Sequence, residues 1–244
     1  MGDTSSGKSS LLSALSGIPL PANDKLTTRC PLRLRMEKND TSRATIGIKW
    51  HANSDYQSAS SYPLTQLTKE DNPSFFSEGI TEQIKKAQAA ILERCPKQIA
   101  QDIIEVNYYG PEASDLTLID LPGIVRVAGK DESATLVEDI ELLIHDYLVN
   151  ERCVVLAVVP ANVDFHNSGI MADAKKYDTS TSRTIPVITK PDLIDKGAEG
   201  SVLELLLGKK MDTFQMVQFF YYITDIDSIA STDPILLQNH LTLR

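Results

Sequence analysis

The chain has 244 residues, 42% of them hydrophobic and 23% charged, the composition of a globular protein with one large domain or two small ones. Its net charge of −9 argues against nucleic acid or anionic membrane held by charge alone. Three widely spaced cysteines, Cys30, Cys95 and Cys153, form neither a disulfide framework nor a metal pattern, and read as reduced thiols of a cytoplasmic protein. No secretory signal is present, and no apolar run approaches the roughly 20 residues that span a bilayer.

The first residues carry the strongest motif. Gly2-Asp3-Thr4-Ser5-Ser6-Gly7-Lys8-Ser9 fits G-x-x-x-x-G-K-[ST], a loop whose backbone N–H groups cradle phosphates. Lys8 would reach the outer phosphates and the Ser9 hydroxyl would ligate Mg²⁺. The same glycine also fits an N-myristoylation pattern, a reading that explains fewer of these residues. Lys8 to Ser16 then reads as a helix with Leu11, Leu12 and Leu15 on one face and Gly17 as its stop.

Leu32–Met36 and Ala44–Trp50 alternate as strands, and the polar stretch Lys38–Ser42 suggests a hairpin between them. Arg29, Arg33, Arg35 and Lys38 read as a solvated strand face. Asn53–Asp71, rich in Ser and Gln, reads as a mobile connection with a short packed turn at Leu64 and Leu67. Glu78–Arg94 predicts a helix with Ile80, Ile84, Ala87 and Ile91 inward.

Ile103–Tyr109 and Leu116–Ile119 are short β-rich runs, and Glu132–Val149 predicts a second long helix burying Val137, Ile140, Leu143, Ile144 and Leu148. Cys153–Val159 and Thr184–Ile188 are apolar throughout, as in strands covered on both faces, and Glu199–Leu207 reads as a helix. Strands alternating with helices predict an open α/β sheet.

Two further motifs end predicted strands. In Asp120-Leu121-Pro122-Gly123, a carboxylate at a strand's C-terminal edge can hold Mg²⁺, and Gly123 would bring its N–H close to a γ-phosphate. In Thr189-Lys190-Pro191-Asp192, Asp192 can accept from guanine N1–H and the N2 amino group, which adenine lacks, while the Lys190 stem can cover the base. Either motif alone would be an ordinary turn; in this order after a phosphate loop they form the pattern of a GTPase.

At these residues the chain resembles the dynamin superfamily of large GTPases. Gly2 to Ser10, Leu26-Thr27-Thr28-Arg29-Cys30-Pro31, Leu118 to Ile124 and Thr189 to Gly197 look like its signatures, and Arg29-Cys30-Pro31 is similar to the Mx-type members. The resemblance implies a P-loop GTPase-type, mostly parallel sheet flanked by helices, with a GTPase domain over 1–210 and a divergent tail over 211–244. It implies Mg²⁺ as cofactor, GTP as substrate, and a K⁺ or Na⁺ ion in place of an arginine finger. By the same resemblance Thr28 would ligate Mg²⁺ and position the attacking water, with Thr4 and Gly123 beside it. Ser5 would help hold the monovalent cation, and Asp195 would join Asp192 in reading the base. Family members pair across the nucleotide face, and full-length relatives bind membranes or microtubules in organelle remodelling or antiviral defence. A cytoplasmic protein, at most peripheral to membranes, is therefore expected, without nucleic acid as a partner.

The chain also departs from the family pattern. Thr4 stands where many members have Gln, and Asn23-Asp24-Lys25 replaces the usual switch glycines, so Lys25 offers a positive charge of its own. The last guanine-contacting loop is not recognisable after Lys210. The strand that normally precedes the phosphate loop is expected to be lacking, which would weaken stability and nucleotide affinity, with Phe214–Thr224 as a substitute for it. A non-hydrolysing interaction fragment and an ATPase remain as alternatives at this point.

Overall fold

The computed structural model describes residues 1–21, 28–51, 63–70, 76–95, 99–130, 132–165, 168–194, 197–198, 200, 202, 204 and 220–221. Helix α1 (Lys8–Ser16) ends at Gly17, whose φ of 69° is the left-handed turn that stops a helix. The strands are β1 (Leu32–Lys38), β2 (Arg43–Lys49), β3 (Thr65–Thr68), β4 (Ile103–Gly110), β5 (Leu116–Asp120), β6 (Val155–Pro160), β7 (Thr184–Thr189) and β8 (Phe220–Tyr221). Helices α2 (Phe76–Arg94), α3 (Leu136–Leu148) and α4 (Gly169–Tyr177) complete the α/β fold, with a 3-10 turn at Pro191–Leu193. Among the described residues no helix is long and apolar enough to cross a membrane.

One sheet runs in the order β3-β2-β4-β1-β5 and a second in the order β6-β7-β8. The second is parallel throughout, whereas in the first only β1 and β4 run parallel. The sheet is therefore mixed, and the expected parallel character belongs mainly to its nucleotide-side half. The expected hairpin of β1 and β2 does not form. Strand β4 lies between them, parallel to β1 and antiparallel to β2. The Lys38–Ser42 link crosses the end of β4, where Asn39 N–H donates to Gly110 O at 3.0 Å. Period-two alternation specifies the buried face of a strand and not its neighbour, and Leu34, Ile46 and Val106 are all fully buried. The short packed turn expected at Leu64 and Leu67 is instead the edge strand β3 on β2, with Leu67 packed on the core and Leu64 exposed.

Met1 to Asp3 make strand-like bonds between the two sheets. Met1 N donates to Leu156 O at 2.6 Å and Val158 N to Met1 O at 2.9 Å, the two-residue step of a parallel ladder on β6. On the other side, Ile124 N donates to Gly2 O at 3.0 Å and Thr4 N to Ile124 O at 3.2 Å. The phosphate loop is thus anchored on both flanks, contrary to the expectation of an unsupported loop. Of the expected substitute Phe214–Thr224 only Phe220–Tyr221 lies among the described residues, and these two pair with the outer edge of β7, not with the phosphate loop.

The two sides of the sheet bury separate clusters. Leu118 of β5 joins Ile80, Ile84, Ala87 and Ile91 of α2, while the next residue, Ile119, packs with Ile140, Leu143 and Ile144 of α3 and Ile170 of α4. Helix α3 begins later than expected, so Leu136 is the buried residue of its first turn and Val137 is only half-buried. Leu15 is exposed, so α1 buries Leu11 and Leu12 alone of the three expected. Helix α4 has no counterpart in the sequence reading, because its apolar residues Ile170, Met171 and Ala174 span little more than one turn. The expected helix over Glu199–Leu207 falls mostly outside the described residues.

At the N-terminal end of β7 the buried Asp178 gathers the chain around itself. Its carboxylate accepts from Thr184 Oγ1 at 2.7 Å, Arg183 N at 3.0 Å, Ser182 N at 3.1 Å and Ser180 Oγ at 3.2 Å. Burial alone would raise its pKa, but these donors together hold it below its ordinary value of 3.8. Because the folded value is the lower one, the stability Asp178 contributes is present above about pH 4 and is lost as pH falls through the folded pKa. Asp178→Asn is expected to cost about 1–3 kcal/mol at pH 7 and progressively less as pH falls below about 4, read by urea unfolding across that range.

Candidate nucleotide site

The C-terminal ends of β5 and β7 and the start of α1 meet in one place. Ser9 Oγ, on the first turn of α1, donates to Asp120 Oδ2 at 2.7 Å, and Thr28 Oγ1 approaches the same oxygen at 3.4 Å. Asp120 is buried at 4% exposure, and its other oxygen, Oδ1, has no hydrogen-bond partner among the described residues. Burial pushes the Asp120 carboxyl up despite Ser9, Lys8 and Thr28 beside it, and burial likewise pushes the Lys8 ammonium down, against the pull of Asp120 and Asp3. A buried carboxylate and a buried ammonium that both stand short of counter-charge suit a site that takes its ions from outside.

The loop itself is tightly held. Lys8 Nζ donates to Asp3 O at 2.8 Å and Ser6 N to the same carbonyl at 3.2 Å, while Ser5 adopts a left-handed φ of 58° at the exposed crest. A Cβ on Gly2 would stand 2.5 Å from Ser6 Oγ and 2.8 Å from Val158 O, so only glycine fits between loop and β6. Thr189 Oγ1, buried at the end of β7, donates to Ser6 O at 2.6 Å and joins the third motif to the first. Lys190 then turns left-handed at φ 55°, and the 3-10 turn presents Asp192 on the surface beyond it. Gly123 lies against Thr4, where an added Cβ would come within 2.7 Å of Thr4 Cα.

The structure therefore brings together Gly2 to Ser9, Thr28, Asp120, Gly123 and Thr189, with Lys190 and Asp192 at the rim. Ser10 sits half-buried on α1 behind them. Asp195, and the switch segment Asn23-Asp24-Lys25, lie outside the described residues. The sequence reading placed Ile124 in a motif but gave it no role, and did not single out Arg126. Ile124 docks the loop through its backbone, and Arg126 forms ion pairs with Asp3 and Asp173. Backbone pairing leaves no mark on residue identity, and a single arginine after Asp120-Leu121-Pro122-Gly123 belongs to no spacing rule.

Among the described residues no group of three or more His, Cys, Asp or Glu converges as a protein-built metal cage. The donors present, two hydroxyls and one carboxylate, suit a hard cation such as Mg²⁺ that keeps waters and shares phosphate oxygens. The orphaned, buried Asp120 Oδ1 fits the same cation.

A glycine-bracketed loop running into a helix N-terminus, beside a strand-end aspartate in an α/β sheet, defines a P-loop nucleotide-binding domain. The sequence profile described as the Dynamin family matches residues 1–191. The chain is 39% identical over 206 residues to the interferon-induced GTP-binding protein Mx2 of Sus scrofa, covering 84% of this chain and 26% of that protein. It is 37% identical over 206 residues to the protein of the same description, Mx2, from Oncorhynchus mykiss, covering 84% of this chain and 30% of that one. With MxB of Danio rerio the identity is 37% over 207 residues, covering 84% and 30%. The chain belongs to the dynamin family and carries its GTPase domain. It spans less than a third of the length of these relatives.

Proposed function

We propose that this domain binds Mg²⁺–GTP and hydrolyses it to GDP and phosphate. The observation that carries the reading is the convergence of the Ser9 and Thr28 hydroxyls on one oxygen of the buried Asp120, next to Lys8, with Asp120 Oδ1 unpartnered among the described residues. Ser9, Thr28 and Asp120 would hold Mg²⁺, which when bound neutralises phosphate charge. Lys8 would leave the Asp3 carbonyl for the outer phosphates, while the loop's amides bind their oxygens. Thr28 and the backbone of Thr4 and Gly123 would place a water in line with the γ-phosphorus. Its oxygen forms the new P–O bond, the bond to the β,γ-bridging oxygen breaks, the water's proton passes to an oxygen of the released phosphate, and GDP departs.

Asp192, with Asp195 as a second acceptor, would select guanine, and Lys190 would cover the base. Ser5 at the exposed crest is the proposed contact for a K⁺ or Na⁺ ion. Pairing of two domains across the nucleotide face is part of the same proposal, supported by Val127, Val163 and Leu193, which stand 81%, 44% and 42% exposed on the segments following β5, β6 and β7.

Base selection gives the test. Asp192→Asn replaces an acceptor with an amide that can donate to the C2 carbonyl of xanthine. GTP affinity is expected to fall at least about tenfold and xanthosine triphosphate to bind better than to the parent chain, since an unpaired polar edge costs about 1–3 kcal/mol. An unchanged preference in a competition titration would remove Asp192 from the base site.

A further inference from the structure

Asp3 is an unusual neighbour for a triphosphate. Its carbonyl holds Lys8 Nζ at 2.8 Å, and its carboxylate is near enough to favour the charge of the phosphate loop's cation. At that place a negative charge opposes the ligand. The charge that faces it comes from Arg126, six residues after Asp120: Arg126 Nε lies 3.5 Å from Asp3 Oδ1.

Arg126 is itself held from behind. Its Nη1 meets Asp173 Oδ2 of α4 at 2.8 Å, and Asp173 is only 16% exposed and also takes Lys176 Nζ at 2.7 Å on its other oxygen. The guanidinium lies over Gly169, the first residue of α4. A Cβ there would stand 2.6 Å from Nη2 and 3.0 Å from Cζ. Gly169 thus leaves the space in which the arginine rests, and Asp173 fixes its far edge while Nε faces Asp3.

We propose that Arg126, anchored on Asp173 over Gly169, is a positioning residue that neutralises Asp3 and so lets the phosphate loop accept a triphosphate. The proposal rests on the GTP-binding reading above. Losing the arginine would leave Asp3 unscreened beside the phosphates. Asp3 and Arg126 are each 48% exposed, so solvent reduces the effect to a modest one.

The test is titration of the full chain with a fluorescent GTP analogue at low and high salt, for the parent chain, Arg126→Gln, Asp3→Asn and the double variant. Arg126→Gln is expected to weaken binding about three- to fivefold at low salt and less at high salt. Asp3→Asn should restore the affinity lost by Arg126→Gln, which a purely structural role of the arginine would not allow. Gly169→Ala keeps every charge but displaces the guanidinium, and is expected to reproduce the loss if Arg126→Gln folds poorly. Equal binding by Arg126→Gln and the parent chain, or a double variant as weak as Arg126→Gln, would overturn the role of Arg126. A parent chain that binds no GTP would instead overturn the functional reading beneath it.

Discussion

Replacing Gly123 by alanine is expected to abolish useful nucleotide binding. The new methyl group would stand 2.7 Å from Thr4 Cα and 2.9 Å from both Thr4 N and Oγ1, distances that no side-chain rotation relieves because backbone atoms are involved. Thr4 cannot retreat freely. Its N–H is bonded to Ile124 O, and the Ile124 N–H in turn to Gly2 O. Relief requires opening that docking, at about 1–3 kcal/mol for overpacking and about 0.5–1.5 kcal/mol for each of two bonds. The loop would then no longer be preformed, and GTP affinity should fall about 100-fold, equivalent to about 2.7 kcal/mol. Nucleotide titration with thermal unfolding in parallel checks it, the second measurement confirming that the core survives.

Arg183→Ala is expected to have the largest effect on stability outside the core. The guanidinium donates to four carbonyls: Leu148 O at 2.7 Å, Tyr177 O at 2.8 Å, Cys153 O at 3.0 Å and Asn150 O at 3.4 Å. Two of these close the C-terminal turns of α3 and α4, where a positive charge is favoured. The Arg183 backbone meanwhile donates to Asp178 and accepts from Val155 N at 2.8 Å, so the residue joins both helices to the starts of β6 and β7. Losing a charged donor shared by several carbonyls should cost about 3 kcal/mol and lower Tm by about 10 °C in a domain of this size. Arg183→Lys should recover only part of it, because one ammonium cannot follow the fork. Urea and thermal unfolding of both variants measure this directly.

Much of the site was legible because its chemistry fixes residue types at fixed steps. A phosphate loop needs glycine where Gly2 meets Val158, and a hydroxyl where Ser9 meets Asp120. Asp120 was identifiable as a strand-end carboxylate because Leu118 and Ile119 before it read as a strand. The helices were legible where apolar spacing ran for several turns, as in α2, and not in α4, where one turn of apolar residues sits among Lys and Asp. Strand order was not legible. Leu34, Ile46 and Val106 each announce a buried strand, but nothing in them says that β4 enters between β1 and β2. Nor did the sequence reveal that Met1 to Asp3 bond to β6 and Ile124, since those bonds run through backbone atoms common to every residue. Arg126 remained hidden for a related reason: its partners Asp3 and Asp173 are 123 and 47 positions away and meet it only once α4 has packed.

The central claim is that the loop, Asp120 and Asp192 together make a guanine-specific triphosphatase. The most direct measurement is displacement of a fluorescent GTP analogue from the full chain by unlabelled GTP and ATP, with phosphate release followed in the same samples with Mg²⁺. GTP is expected to displace the analogue at least about 100 times more effectively than ATP, since adenine leaves the Asp192 carboxylate unpaired, and phosphate release should follow GTP alone. Displacement by ATP as strong as by GTP would contradict the account, as would binding of GTP without release of phosphate.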